Sequence, residues 1–334
     1  MMKRFSGAVA LCMLALGIAS QPVEAAPAKP ANYPDRPISF VVSYPPGGGM
    51  DITARTLAAQ MERVTGYQFR VEDRAGGGAI IGNSYMAKQA KPDGYTVGIL
   101  ANPTLFINIL KQGAQFKKDD LEAVAGITFA PVAWFARTDS EFGKMDFKQI
   151  IDYAKKNPGK VKVGVIPNGS FDMATRIVEK QKGVKFTIVP FQGGKPSIVA
   201  LLGGNIDISA NYYSEVDQYL KAGTLKALAV ADNTPAPQLP NTPTMKDLNI
   251  KMASGTWGAD RIALVPKGTS KEIKEYLGYL IQKTLADKQT REAFEKVGIT
   301  VEPKTMAQTQ QSYDEGYAAV RDYLKGTGEL KISQ

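Results

Sequence analysis

The sequence predicts an α/β protein of two lobes with a cleft between them. Strand-forming and helix-forming stretches alternate along most of the chain, which is typical of parallel sheets covered by helices on both faces. Irregular, glycine-rich stretches come after strands and before helices, so they are expected at the carboxyl edges of the sheets. This pattern occurs in two successive units. Because ligands bind at such edges, we expect one site between the lobes.

The first 26 residues are typical of a cleaved signal peptide. Met1 to Arg4 carry two positive charges, Phe5 to Ala19 are almost entirely apolar, and small residues close the segment at Ala25 and Ala26. The apolar run is short for a membrane span. The single cysteine, Cys12, is not preceded by the small residue that lipid attachment requires. We therefore expect export to the periplasm, with cleavage near Ala25 or Ala26.

Composition excludes several classes of site. Beyond Ala26 the chain has no cysteine, and the whole chain has no histidine. The absence of histidine excludes Ser-His-Asp and Cys-His catalysis and the usual transition-metal sites. The formal charge of +9 comes from scattered lysines and arginines and not from long basic runs, so nucleic-acid binding is not indicated. A generally basic protein of this kind favours acidic small molecules.

The first strand, Ile38 to Val42, leads into a loop of three glycines, Gly47, Gly48 and Gly49. Asp51 then opens an amphipathic helix. Such a junction presents free backbone N–H groups and the positive end of a helix dipole, which suits an anion. Glycine-rich turns also occur for packing alone, so this loop by itself leaves both interpretations open.

A second glycine loop follows the next predicted strand, and its residues are Gly76, Gly77, Gly78 and Ala79. The dinucleotide fingerprint G-x-G-x-x-G fails at both loops, because Ile52 and Ile81 stand where the third glycine belongs. Gly77 and Gly82 have the spacing of a phosphate loop, but Asn83 occupies the lysine position. Nucleotide binding is therefore not favoured, and no cofactor is expected.

The alternation of strands and helices continues in a second unit from about Pro131, without an apparent internal sequence repeat. Its polar loops follow predicted strands and consist of Asn168, Gly169 and Ser170, and of Phe191, Gln192 and Gly193. Helices predicted after Lys271 should return to the first lobe, since they would otherwise have no sheet to cover. We predict a first lobe of residues 27–130 plus 254–334 and a second of residues 131–253.

In this order, the motifs make the chain resemble the Bug, or TctC-like, family of periplasmic solute-binding proteins, which serve tripartite tricarboxylate transporters. The resemblance spans nearly the whole chain beyond the signal peptide. The matching segments are Tyr33 to Ile38, Pro46 to Gly49 with Asp51 and Arg55, Asp73 to Gly78 with Gly82, Pro92 to Thr96, Pro190 to Gly194, Leu201 to Gly204, Leu228 to Val230, and Leu239-Pro240 with Pro243-Thr244.

The resemblance implies two Rossmann-like lobes of type II periplasmic binding protein architecture that close over a small carboxylate. It also implies that the glycine loops of the first lobe and the polar loops of the second hold the ligand. Asp207 matches an aspartate that is usual in the family, whereas Lys195 adds a cation where small residues are usual. The expected ligand-binding residues are Tyr44, Gly47, Gly48, Gly49, Asp51, Gly76, Gly77, Gly78, Ala79, Asn168, Gly169, Ser170, Phe191, Gln192, Gly193 and Asp207.

The expected function is therefore capture of a small organic carboxylate, a di- or tricarboxylate with an aromatic one as a possibility, in the cleft of a monomeric periplasmic protein. The expected partners are the subunits of a membrane transporter or a sensor kinase, with no catalysis, metal or nucleic acid. Two alternatives stay open from the residues alone. One is a secreted enzyme that acts on a carboxylated small molecule, and the other is a structural or adhesive exported protein.

Overall fold

The described chain, residues 26–252 and 257–331 of a computed structural model, forms two five-stranded sheets. The predicted signal peptide lies outside the described residues, apart from Ala26. The strands, in chain order, are β1 (Ile38–Val42), β2 (Phe69–Asp73), β3 (Thr96–Asn102), β4 (Leu121–Pro131), β5 (Ala133–Arg137), β6 (Lys162–Val165), β7 (Thr187–Pro190), β8 (Ile208–Asn211), β9 (Leu225–Val230) and β10 (Gly258–Pro266).

Helices cover both sheets, because the apolar side chains of the strands must be buried on both faces. All of β1 except Ser39 is buried, as expected for a strand between two helical layers. The described helices are α1 (Gly49–Thr65), α2 (Ile80–Lys88), α3 (Thr104–Leu110), α4 (Phe147–Lys156), α5 (Ser170–Lys182), α6 (Gly194–Leu202), α7 (Tyr213–Lys221), α8 (Lys271–Ala286), α9 (Lys288–Lys296) and α10 (Met306–Thr327). None of these described helices is long and apolar enough to cross a membrane.

The two sheets have the same topology. The strand order is β2-β1-β3-β10-β4 in the first sheet and β7-β6-β8-β5-β9 in the second. In each sheet the first three strands are parallel, and the fourth runs antiparallel to both of its neighbours. The fourth strand of each sheet follows the fifth strand of the other sheet in the chain. Strand β5 of the second sheet comes directly after β4 of the first, and β10 of the first sheet comes after β9 of the second. The predicted two-lobe α/β fold is confirmed.

Two connections, from β4 to β5 and from β9 to β10, join the lobes, and three of their residues bond to one another through their backbones. Val132 lies between β4 and β5, while Ala231 and Trp257 lie on the return path from β9 to β10. The N–H of Val132 donates to the Trp257 carbonyl at 3.0 Å, that of Ala231 donates to Val132 at 2.7 Å, and that of Trp257 donates to Ala231 at 2.7 Å. The exact lobe boundaries within residues 231–257 remain a prediction, because sheet membership does not assign these connecting residues.

Helices α1 and α5, which follow the second-position strands β1 and β6 of the two sheets, begin with the same arrangement of hydrogen bonds and charges. An aspartate in the first turn accepts a hydrogen bond from the N–H of the preceding loop, at 2.7 Å in the first lobe and 3.0 Å in the second. Each aspartate also pairs with an arginine one turn later. The groups are Gly47, Asp51 and Arg55 in the first lobe, and Asn168, Asp172 and Arg176 in the second.

The far ends of these two helices also match. Glu62 on α1 and Glu179 on α5 accept hydrogen bonds from the first residues past the loop, at 2.9 and 2.7 Å. Each helix then ends at a glycine with positive φ, 75° at Gly66 and 61° at Gly183. The two segments therefore correspond in structure although the sequence has no apparent internal repeat. The helix lengths differ, 17 residues in α1 and 13 in α5, so the matching residues are spaced differently.

Candidate functional site

A cavity lies between the carboxyl edges of the two sheets, and the first turns of helices from both lobes line it. Among the described helices, α1, α3, α5 and α6 begin at lining residues, which are Gly49, Thr104, Ser170 and Gly194. The lining residue Tyr212 directly precedes α7. The first N–H groups of a helix have no intrahelical acceptor and carry partial positive charge. Several helix starts that converge on one cavity therefore favour a bound anion.

Tyrosines on both sides of the cavity supply neutral hydroxyl groups. Burial raises the pKa of the Tyr44 phenol to about 12 and also raises the pKa of Tyr212. Both groups are therefore protonated at neutral pH and can donate a hydrogen bond. The ring of Tyr212 packs against Phe171, with 4.6 Å between ring centroids. The second-lobe wall of the cavity is therefore apolar next to the Tyr212 hydroxyl group.

A buried cation lies directly behind the first residue of α1. The Arg261 side chain on β10 is fully buried, and its Nη1 donates to Thr53 Oγ1 at 2.6 Å. A Cβ placed on Gly49 would lie 2.9 Å from Arg261 Nη2, so only glycine permits this close approach. Burial lowers the pKa of Arg261, but a guanidinium still keeps its charge in proteins. The charge adds to the positive potential at this end of the cavity.

The same guanidinium is incompletely satisfied. Its Nε and Nη2 atoms have no hydrogen-bond partner among the described residues. The ring of Tyr212 lies 5.1 Å from the guanidinium carbon, which provides a cation–π contact from the second lobe. A buried charge with two unsatisfied nitrogens is costly for folding. Such a cost points to a role in the site and not in stability.

One acidic side chain enters the cavity from the second lobe. Glu215 Oε2 accepts hydrogen bonds from the Tyr212 N–H at 3.0 Å and from Asn211 Nδ2 at 3.1 Å. Its Oε1 reaches across the cleft and accepts a hydrogen bond from the Gly49 N–H at 3.2 Å. Glu215 therefore links the starts of α7 and α1, which belong to different lobes.

The comparisons with known proteins identify the family of this two-lobe protein. A family model described as the tripartite tricarboxylate transporter family receptor, TctC, matches residues 53–321. The chain belongs to this receptor family. Protein BugT of Bordetella pertussis is 30% identical over 299 residues, which cover 86% of this chain and 87% of BugT. The resemblance drawn from the motifs is confirmed.

Solved structures share the TctC receptor fold. The periplasmic binding protein BugD has a TM-score of 0.81 and 26% sequence identity, and the match covers 90% of this chain and 100% of the BugD chain. R. palustris Rpa4515, solved with adipate, has a TM-score of 0.81 and 23% identity, with 89% of this chain and 99% of the other covered. At that identity the likeness to Rpa4515 shows the fold alone.

Six of the expected ligand-binding residues line the cavity of this TctC receptor. They are Tyr44, Gly48, Gly49, Gly169, Ser170 and Gly193. Gly47 and Asn168 instead donate their N–H groups to the helix aspartates, and Asp51 is one of these aspartates. Phe191 and Gln192 lie beside the cavity in the loop before α6 and do not line it. The lining residues that the sequence interpretation did not assign to the site include Thr104, Tyr212 and Glu215.

The second glycine loop packs against the other lobe and does not line the cavity. Asn108 Nδ2 donates to the Gly78 carbonyl at 3.0 Å, and Gln112 Nε2 donates to the Gly77 carbonyl at 3.4 Å. A Cβ on Gly78 would lie 2.8 Å from the carbonyl oxygen of Pro167 in the second lobe. Within the loop of Gly76, Gly77, Gly78 and Ala79, it is therefore Gly78 that approaches the second lobe, while first-lobe side chains hold the loop in place.

Asp207 lies at the opposite edge of the second sheet. It directly precedes β8, and its Oδ2 accepts a hydrogen bond from the Lys162 N–H, at the start of β6, at 2.8 Å. These are the amino ends of parallel strands, whereas the cavity lies at their carboxyl ends. Among the described residues, no group of three or more acidic or cysteine side chains is placed to hold a metal ion.

The contacts of Arg261 predict opposite effects for two substitutions on the free energy of unfolding. Thr53→Val removes the one hydrogen-bond acceptor that Arg261 has among the described residues, so it should destabilise the protein by about 1.5–3 kcal/mol. Arg261→Met removes the buried charge and should be neutral or stabilising. Urea unfolding of the purified receptor measures both.

Thr284→Val on α8 is the matched control. Thr284 is also fully buried and donates to a carbonyl one turn earlier, as Thr53 does, but it contacts no cation. If Thr53→Val lowers the free energy of unfolding no more than Thr284→Val does, the stabilising role assigned to the bond between Thr53 and Arg261 is contradicted. Destabilisation of several kcal/mol by Arg261→Met would contradict the interpretation that the buried charge is costly for folding.

Proposed function

We propose that this TctC-family protein is a periplasmic solute-binding protein that captures a small organic carboxylate in the interlobe cavity. It would deliver the ligand, as a monomer, to a tripartite tricarboxylate-type transporter or to a sensor kinase. The observation that carries the proposal is the convergence of helix starts from both lobes on one cavity, with the buried Arg261 behind it. The family description and the adipate bound to Rpa4515 support the same ligand class.

The proposed ligand site uses groups from both lobes. In the second lobe, the N–H groups of Ser170 and Phe171 belong to the first turn of α5 and have no intrahelical acceptor. In the first lobe, Gly48 and Gly49 lie at the start of α1, where Glu215 already accepts a hydrogen bond from the Gly49 N–H. A ligand that contacts both helix starts would stabilise the closed arrangement, because an open cleft would offer only one half of the contacts.

A ligand screen tests the proposed function. Mono-, di- and tricarboxylates are tested by thermal shift on the mature protein, and the best compounds are titrated by calorimetry. A ligand present at a hundred times its dissociation constant adds about 2.7 kcal/mol to the stability of the protein, so the melting temperature of the protein should rise clearly. No response to any carboxylate would contradict the proposal. Conversion of the ligand, followed by NMR, would instead favour the alternative of a secreted enzyme.

Gly48→Val should weaken the binding of the best carboxylate at least tenfold, or by about 1.4 kcal/mol. The φ of Gly48 is −84°, which a valine tolerates. A Cβ there has 3.6 Å to the nearest atom, so the variant should fold and present its side chain to the cavity. Calorimetric titration gives the affinity, and urea unfolding checks the fold.

Gln192→Ala serves as the control, because Gln192 is exposed in a neighbouring loop and does not line the cavity. It should leave the affinity unchanged. A folded Gly48→Val variant that binds like the parent protein would show that the ligand does not reach the start of α1.

A further inference from the structure

The side chain of Glu215 already places a carboxylate at the start of α1. Its Oε1 accepts from the Gly49 N–H at 3.2 Å, and its Oε2 accepts from Tyr212 and Asn211 at 3.0 and 3.1 Å. The carboxylate also lies against the start of α6, since a Cβ on Gly194 would approach Oε1 to 2.2 Å. One of the anion positions that the helix starts create is therefore occupied by the protein itself.

Capping of α7 alone does not explain this arrangement. Glu215 is the third residue of α7, and its bond to the Tyr212 N–H is the usual reciprocal contact at a helix start. That contact needs Oε2 only. The bond from Gly49 to Oε1 is an addition, and it joins the second lobe to the first across the cavity. Glu215 is also the one acidic side chain among the described residues that line this cavity.

A second carboxylate beside Glu215 would be unfavourable. Two carboxylates that share one site repel each other unless one of them takes up a proton. The guanidinium of Arg261 lies behind Gly49 and forms no ion pair with Glu215, and a single buried cation does not offset two carboxylates at this end of the cavity. Lys195 also lines the cavity, but its side chain is exposed, and water and salt screen its charge.

The start of α5 remains open to a ligand carboxylate. Ser170 and Phe171 line the cavity, and the hydrogen bonds of the described residues give no acidic side chain on their N–H groups. Asp172 of the same turn accepts hydrogen bonds from the Asn168 N–H and from Arg176 Nε. The cavity therefore has an anion-binding end at α5 and an end at α1 where the protein supplies the anion.

We propose that Glu215 is a specificity-determining residue that makes the receptor prefer a carboxylate with a hydrogen-bond donor at its other end. The donor is a hydroxyl or an ammonium group that faces Glu215, while the ligand carboxylate faces the start of α5. This inference rests on the proposed function and narrows its ligand class. A simple dicarboxylate, ionised at both ends, is the disfavoured ligand.

Six probes of matched length test the preference by calorimetric titration. The four-carbon set is succinate, 4-hydroxybutyrate and 4-aminobutyrate, and the six-carbon set is adipate, 6-hydroxyhexanoate and 6-aminohexanoate. Within the set whose chain length fits the cavity, the parent protein should bind at least one of the two compounds with a hydrogen-bond donor at least tenfold more tightly than the dicarboxylate. Glu215→Gln should reduce this ratio at least tenfold, mainly through tighter binding of the dicarboxylate. Glu295→Gln, which removes an exposed charge on α9, should leave the ratio unchanged.

The outcomes are separable. A parent protein that prefers the dicarboxylate overturns the inference, whether or not Glu215→Gln folds, and an unchanged ratio in a folded Glu215→Gln variant overturns it too. If the parent binds none of the six probes, the inference fails. In that case the wider carboxylate screen decides the proposed function separately, since another carboxylate that binds leaves that function intact.

Discussion

The N–H groups at the starts of α1 and α5 face one cavity from opposite lobes, and much of the structure serves to hold them there. The first-turn aspartates Asp51 and Asp172 bind the preceding loops, so that the loops turn back and leave the next N–H groups toward the cleft. A paired arginine one turn later holds each aspartate in place. Because helix starts attract anions, this construction creates an anion site from backbone groups.

The topology of the sheets explains why these helix starts meet. The fourth strand of each sheet follows, in the chain, the fifth strand of the other sheet, so the connections from β4 to β5 and from β9 to β10 join the lobes. Val132, Ala231 and Trp257 bond to one another there, which keeps these connections together. Arg261, a few residues into β10, then lies behind Gly49 and against Tyr212 of the other lobe. The buried charge of Arg261, the segments that connect the lobes and the cavity are therefore adjacent in space.

The sequence predicted the elements whose pattern is local. The strand from Ile38 to Val42 was predicted with its observed bounds, because a run of strand formers stops before the glycine loop. In contrast, β4 and α3 were missed. Every residue of α3 is buried, so it shows no helical alternation of polar and apolar residues, and β4 is a long, largely buried strand of the same kind. The short helix α7 was missed too.

The site was predictable only in part for a related reason. A glycine loop marked the start of α1 and a polar loop marked that of α5, but Glu215 and Arg261 act through contacts between distant parts of the chain, at 166 and 208 residues from their partners Gly49 and Thr53. The most direct test is a crystal structure with the best carboxylate. We expect a ligand carboxylate oxygen about 3 Å from the Ser170 or Phe171 nitrogen, between the closed lobes. A ligand bound instead in the cavity beside α10, which Asn102, Asp260 and Lys304 line, would contradict the account.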